Sequence, residues 1–200
     1  MKTTRVSRTV AALFAAAGMG FASVALAATT PTMSSDAYKA EKDRVDAAYK
    51  SEVAQCKSLS GNAKDVCEAT AKGHRDVARA EAEASYKNTP KARYDARVAK
   101  VEADYKVAKE KCDDLGGNAK DVCVKEAKAA QVKGKADAKV DKVATEQSRD
   151  SVKKVSEARK DAAEDKRDAD YKVAVEKCDA LSGDAKSRCV ADAKARFGRT

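Results

Sequence analysis

Between Tyr94 and Leu115 a seam of apolar positions runs Tyr94, Val98, Val101, Tyr105, Ala108, Cys112 and Leu115, in alternating steps of four and three. That spacing keeps one face of an α-helix apolar, and over three heptads it describes a coiled-coil-like seam. Most residues between these positions are Lys, Arg, Asp and Glu, which suit the solvent side. A second seam precedes it at Tyr38, Val45, Tyr49, Val53, Cys56 and Leu59. Punctuation then divides the chain. Asn88-Thr89-Pro90 ends one helix and starts the next, with Thr89 as cap and Pro90 at the first helical position. The pattern predicts helices from Ser35 or Asp36 to about Ser60, from Asn62 to Tyr86, and from Pro90 to Leu115. It predicts another from Asn118 to beyond Thr145, a break near Ser148 to Ser151, a helix to Leu181, and a last one from Asp184 to Phe197-Gly198.

The joints between these helices are built from one repeated stretch. It occurs at residues 49–72, 105–128 and 171–194, with two cysteines eleven positions apart and Leu-x-Gly-Asn/Asp-Ala-Lys between them. Gly61, Gly117 and Gly183 stand where a left-handed residue ends a helix, and Asn62, Asn118 and Asp184 stand where an N-cap starts the next. Asp121, three residues after Asn118, suits the positive end of that helix and a capping-box-like exchange. Each copy therefore reads as helix, tight turn, helix. Cys112 and Cys123 lie about equally far on either side of the turn, so an antiparallel hairpin sets them at one height. Six cysteines allow 15 pairings. Threefold repetition favours the local one: Cys56 with Cys67, Cys112 with Cys123, Cys178 with Cys189. Zinc-site cysteines stand two to four residues apart with further Cys or His nearby. Here ten residues intervene and His74 is the only histidine, so no metal site is expected, and His74 reads as an exposed helix residue. The tyrosines read as seam packing.

Composition adds a compartment. Lys2, Arg5 and Arg8 precede an apolar run from Val10 to Val24, and Ala25-Leu26-Ala27 is a small-x-small cleavage signal. Residues 1–27 therefore read as a secretory leader cleaved after Ala27, and the Ala-rich form suits a bacterial periplasm. An even number of cysteines fits that oxidising compartment. Removing three basic residues lowers the net charge from +9 to about +6, with both signs interspersed as on solvated helices. After the leader the only leucines are Leu59, Leu115 and Leu181, the only phenylalanine is Phe197, and there is no Ile or Trp. Ala contributes helix propensity but little buried area. Long helices touching along narrow Ala/Val/Tyr seams follow, with disulfides as staples.

The expected fold is all-α: three helix-turn-helix hairpins of long Ala-rich amphipathic helices, each with one disulfide. The expected organisation is a leader at 1–27, a disordered linker at 28–34, and hairpins at 35–88, 89–147 and 148–200. No phosphate-cradling glycine loop, Ser/His/Asp or Cys/His arrangement or C-x-x-C motif is present. No catalytic residue, cofactor or metal is therefore predicted, and the chain reads as a non-enzyme.

The Ala/Lys/Glu/Asp-rich text, as in Ala99-Lys100-Val101-Glu102-Ala103-Asp104, resembles the periplasmic helical region of TolA-like cell-envelope proteins. The eleven-residue spacing of Tyr38 to Tyr49 and Tyr94 to Tyr105 is similar to the repeats of late-embryogenesis-abundant proteins. A hairpin with a cysteine on each helix is similar to coiled-coil-helix-coiled-coil-helix proteins, which carry two per helix where this chain has one. These resemblances imply a structural or stress-related envelope role. The expected partner is an unknown envelope protein or a second copy bound through the helices. The alternative is a module binding a polyanion or an anionic surface, with Lys194, Arg196 and Arg199 as a basic end. No specific nucleic acid is predicted.

Overall fold

The computed structural model describes residues 32–146 and 151–199. The predicted leader lies outside the described residues, as does most of the predicted break near Ser148. Six helices and no strand occur among the described residues: α1 Ser35–Cys56, α2 Gly61–Lys87, α3 Pro90–Cys112, α4 Gly117–Thr145, α5 Ser151–Cys178 and α6 Gly183–Phe197. None is long and apolar enough to cross a membrane.

Local chemistry explains most boundaries. Ser34 Oγ accepts from the Ala37 N–H at 3.2 Å and Thr89 Oγ1 from the Ala92 N–H at 3.1 Å. Each satisfies a donor the first turn leaves free. Pro90 takes the first position of α3, as its sequence context predicts. Within the predicted linker, the Met33 N–H donates to the Ser85 carbonyl at 3.2 Å.

The hairpin turns differ from expectation in two ways. The first helix of each hairpin stops at its cysteine, not at the leucine three residues on. The Leu59, Leu115 and Leu181 N–H groups donate to the carbonyls of Cys56, Cys112 and Cys178 at 3.0, 3.0 and 2.9 Å. This i→i+3 closure turns each leucine out of the seam, and all three are exposed. The glycines are left-handed as expected, with φ of +56°, +53° and +54° at Gly61, Gly117 and Gly183. They open the second helix, however, instead of closing the first. The N-caps are Ser60, Gly116 and Ser182, in extended conformation and without a side-chain cap bond. Asn62, Asn118 and Asp184 are thus second in their helices, and the side chain of Asn118 reaches elsewhere.

Among the described residues, each helix packs only against its neighbours in the chain: α1 on α2, α2 on α3, and so on to α5 on α6. The contacts between hairpins, α2 with α3 and α4 with α5, are the most extensive. Most of the buried residues are alanine, many at repeat-equivalent positions; Val45, Gly73, Gln131 and the three helix-ending cysteines are the others among the described residues. Ala71, Ala127 and Ala193 occupy one position of the three hairpins and all are buried. Ala92, Ala96 and Ala103 of α3 correspond to Ala158, Ala162 and Ala169 of α5, sixty-six residues on, and all six are buried. The repeat therefore runs the length of the hairpins, beyond the stretch around the cysteines. Gly73 and Gly134 extend the same principle. A Cβ on Gly73 would stand 3.0 Å from Ala103 Cβ, and one on Gly134 would stand 2.6 Å from Val101 Cγ2. Each mid-helix glycine costs about 1 kcal/mol of helix propensity relative to Ala and lets two backbones approach closely.

Candidate functional site: stapled turns and interhairpin seams

The three turns are joined as the repeat predicts: Cys56–Cys67, Cys112–Cys123 and Cys178–Cys189, with Cα separations of 5.6, 5.7 and 5.7 Å. These separations lie within the ordinary disulfide range. The helix-ending cysteines Cys56, Cys112 and Cys178 are the most deeply buried side chains. Inward from each staple the same tyrosine recurs, half-buried under a cation. Arg75 lies 4.3 Å from the ring centroid of Tyr49, Lys128 5.3 Å from that of Tyr105, and Arg199 5.8 Å from that of Tyr171. At the open end of the first hairpin Tyr38 stacks on Tyr86 with centroids 4.7 Å apart. Tyr38, Tyr49, Tyr94, Tyr105 and Tyr171 are thus half-buried in the seams, and Tyr86 is exposed. His74 is exposed on α2, with Nδ1 2.9 Å from Glu52 Oε2 of α1.

Ion pairs run between helices as well as along them. In the first hairpin Arg79 pairs with Asp46. In the second, Arg97 pairs with Asp141, and Glu102 receives both Lys135 and the Gln131 side chain, the latter at 2.6 Å. Gln131 is the only buried polar residue among those described, and its carbonyl accepts from Lys128 at 2.7 Å. Glu102 is held below the usual carboxylate range chiefly by its bond from Lys135, with Gln131 adding to it against the cost of partial burial. Of the expected basic end, Arg199 is paired with Asp168 and Arg196 lies against Phe197, 5.5 Å from its ring centroid.

The two interfaces between hairpins are chemically unlike. Hairpins two and three are strapped by ion pairs from α4 to α5. Lys125–Glu176 is 3.3 Å, Lys133–Asp170 2.5 Å, Lys139–Asp161 3.3 Å and Lys177–Glu126 2.6 Å, and Lys166 also pairs with Asp137. Asn118 adds a side-chain bond to the Glu176 carbonyl at 3.1 Å. Between α2 and α3 no ion pair crosses among the described residues. Asn62, the counterpart of Asn118, leaves its buried Nδ2 without a hydrogen bond. That interface includes the close approach of Gly73 to Ala103, beside a groove of about 590 Å³ lined by Thr70, Gly73, Val77, Glu81, Lys100, Ala103, Asp104, Val107 and Lys111, among others.

Sequence reasoning places the staples and the tyrosine seams correctly. It misses the straps, the groove and the role of Asn118. The signal for them was the fixed offset between copies, 56 residues from the first to the second and 66 from the second to the third, applied to the charged positions as well as to the cysteines. Compared with models of protein families, with curated proteins and with solved structures, the chain finds no match.

Proposed function

We propose that this protein is a non-catalytic helical scaffold exported to the periplasm, with a structural or stress-related role in the cell envelope. The observation that carries this reading is the construction of the hairpins. Each is held by its own disulfide, and each helix touches only its chain neighbours. Such a chain relies on local staples and seams instead of one deep core, which suits an oxidising compartment. Its cations lie on every helix, and many are engaged with carboxylates of the same or the adjacent helix, as expected of a solvated scaffold. The Ala/Lys/Glu text shared with TolA-like proteins points to the same setting.

The test is a pair of variants in a cell-envelope stress assay, with osmotic-shock fractionation of the same cells. Protein in the periplasmic fraction, with His74→Ala behaving as wild type and Cys112→Ser impaired, is the expected outcome. Retention of full-length protein in the cytoplasm would overturn the export reading. Loss of function in a folded His74→Ala protein would overturn the non-catalytic one.

A further inference from the structure

The groove between α2 and α3 lies where the repeat elsewhere carries straps. Shifting α4 back by 56 residues and α5 by 66 aligns the two interfaces position by position. The pair Glu126–Lys177 becomes Thr70 and Lys111. The pair Lys133–Asp170 becomes Val77 and Asp104. The pair Asp137–Lys166 becomes Glu81 and Lys100, in which Lys100 bonds instead to Asp104 of its own helix at 2.8 Å. All six counterparts line the groove. An acid and a base that close one interface are thus replaced by Thr and Val, and apolar surface lies open in the other. Uncovered apolar surface is costly in water, and this groove falls within the size range of small-molecule sites.

We propose that this groove binds a single-chain amphipathic anion. The apolar tail lies along Gly73, Val77, Ala103 and Val107, and the anionic head meets the Lys111 ammonium. Three features fix this class. Thr70 to Glu81 is eleven helical rises, so the floor is about 16 Å long, and its middle is made of small and branched apolar groups. Lys111 stands at one end, where the carboxylate that engages its counterpart Lys177 has been replaced by Thr70. At the other end Glu81 and Asp104 flank Lys100 and repel an anion, so the head has one preferred end. The inference rests on the contrast between the two interfaces and holds whatever the compartment of the protein.

The test is calorimetric titration of the full chain with dodecanoate below its micelle concentration. Dodecyltrimethylammonium serves as the cationic control and anionic phosphatidylglycerol vesicles as the membrane arm. One dodecanoate should bind per chain, with dodecyltrimethylammonium binding far more weakly. Lys111→Gln should weaken binding about tenfold through loss of a charge-assisted contact. The double variant Thr70→Glu/Val77→Lys copies Glu126 and Lys133 of α4 into α2, rebuilds two of the missing straps, and should abolish saturable binding. Circular dichroism and the disulfide map of that variant should match wild type. The proposal is overturned if wild type binds no dodecanoate, or if the cationic amphiphile binds as well. It also fails if the rebuilt variant binds normally while fully helical, or if only vesicles are bound.

Discussion

Single residues here act mainly by what they leave out. Ala92, Ala96 and Ala103 bury almost nothing individually, yet their small size lets α3 lie close against α2. Gly73 and Gly134 remove even the methyl group at the tightest approaches. The one buried polar residue among those described, Gln131, is bonded on both sides, to Lys128 and to Glu102. That cluster yields a pH prediction. Glu102 is held below its ordinary range in the folded chain, so its contribution is complete above the range of an unfolded carboxylate. It is lost as pH falls through the lowered value. Hydrogen-exchange protection factors, corrected for the intrinsic pH dependence of exchange, should therefore fall along the seam between α3 and α4 on acidification below the ordinary glutamate range. Glu102→Gln should remove the part of that loss of protection that belongs to this site. Acid sensitivity at residues 98–105 unchanged in the variant would refute it.

Among the helices, the staples are the most legible feature and the register is the least. Six cysteines in three identical settings point to one local pairing, and the left-handed glycines are readable from the same copies. The exact ends are not, because the i→i+3 bond that expels Leu59, Leu115 and Leu181 competes closely with another helical turn. The straps between α4 and α5 are hidden for a different reason. Lys and Asp at any helix position look equally like solvated charge until the register of the neighbouring helix is known. The candidate groove is an absence of such straps and is doubly hidden. At this scale the account predicts that replacing Cys112 and Cys123 together by Ser destabilises the second hairpin by about 3 kcal/mol in the chain-entropy model. Amide exchange should rise around the turn at 112–123 and much less around Cys56–Cys67. An equal rise in both turns would mean that the hairpins do not hold themselves together separately.

Taken together, the helices form a repeat array whose outer edges are altered. The inner seam of α3 reads Ala92, Ala96, Ala99, Ala103, Val107. Its counterpart on the outer edge of α1 reads Asp36, Ala40, Asp43, Ala47, Ser51, all exposed. In α6, Asp184 stands where α4 has Asn118, the asparagine that reaches the next hairpin. Terminal repeats with a polar outer face keep an array from adding further units. Restoring the inner pattern with Asp36→Ala, Asp43→Ala and Ser51→Val should therefore cause concentration-dependent association in sedimentation velocity, with wild type unaffected. A triple variant that sediments as wild type at every concentration would show that the edge is not a cap.

The central claim is that three separately stapled hairpins pack in chain order, each on its neighbour alone. Zero-length carbodiimide coupling of lysines to carboxylates, followed by non-reducing peptide mapping, tests it most directly. The account predicts disulfides 56–67, 112–123 and 178–189 and no free thiol. It predicts isopeptide links between hairpins such as Lys177–Glu126, Lys133–Asp170 and Lys139–Asp161, all joining α4 to α5. A disulfide from Cys67 to Cys112, or an intramolecular link from α1 or α2 to α5 or α6, would contradict it.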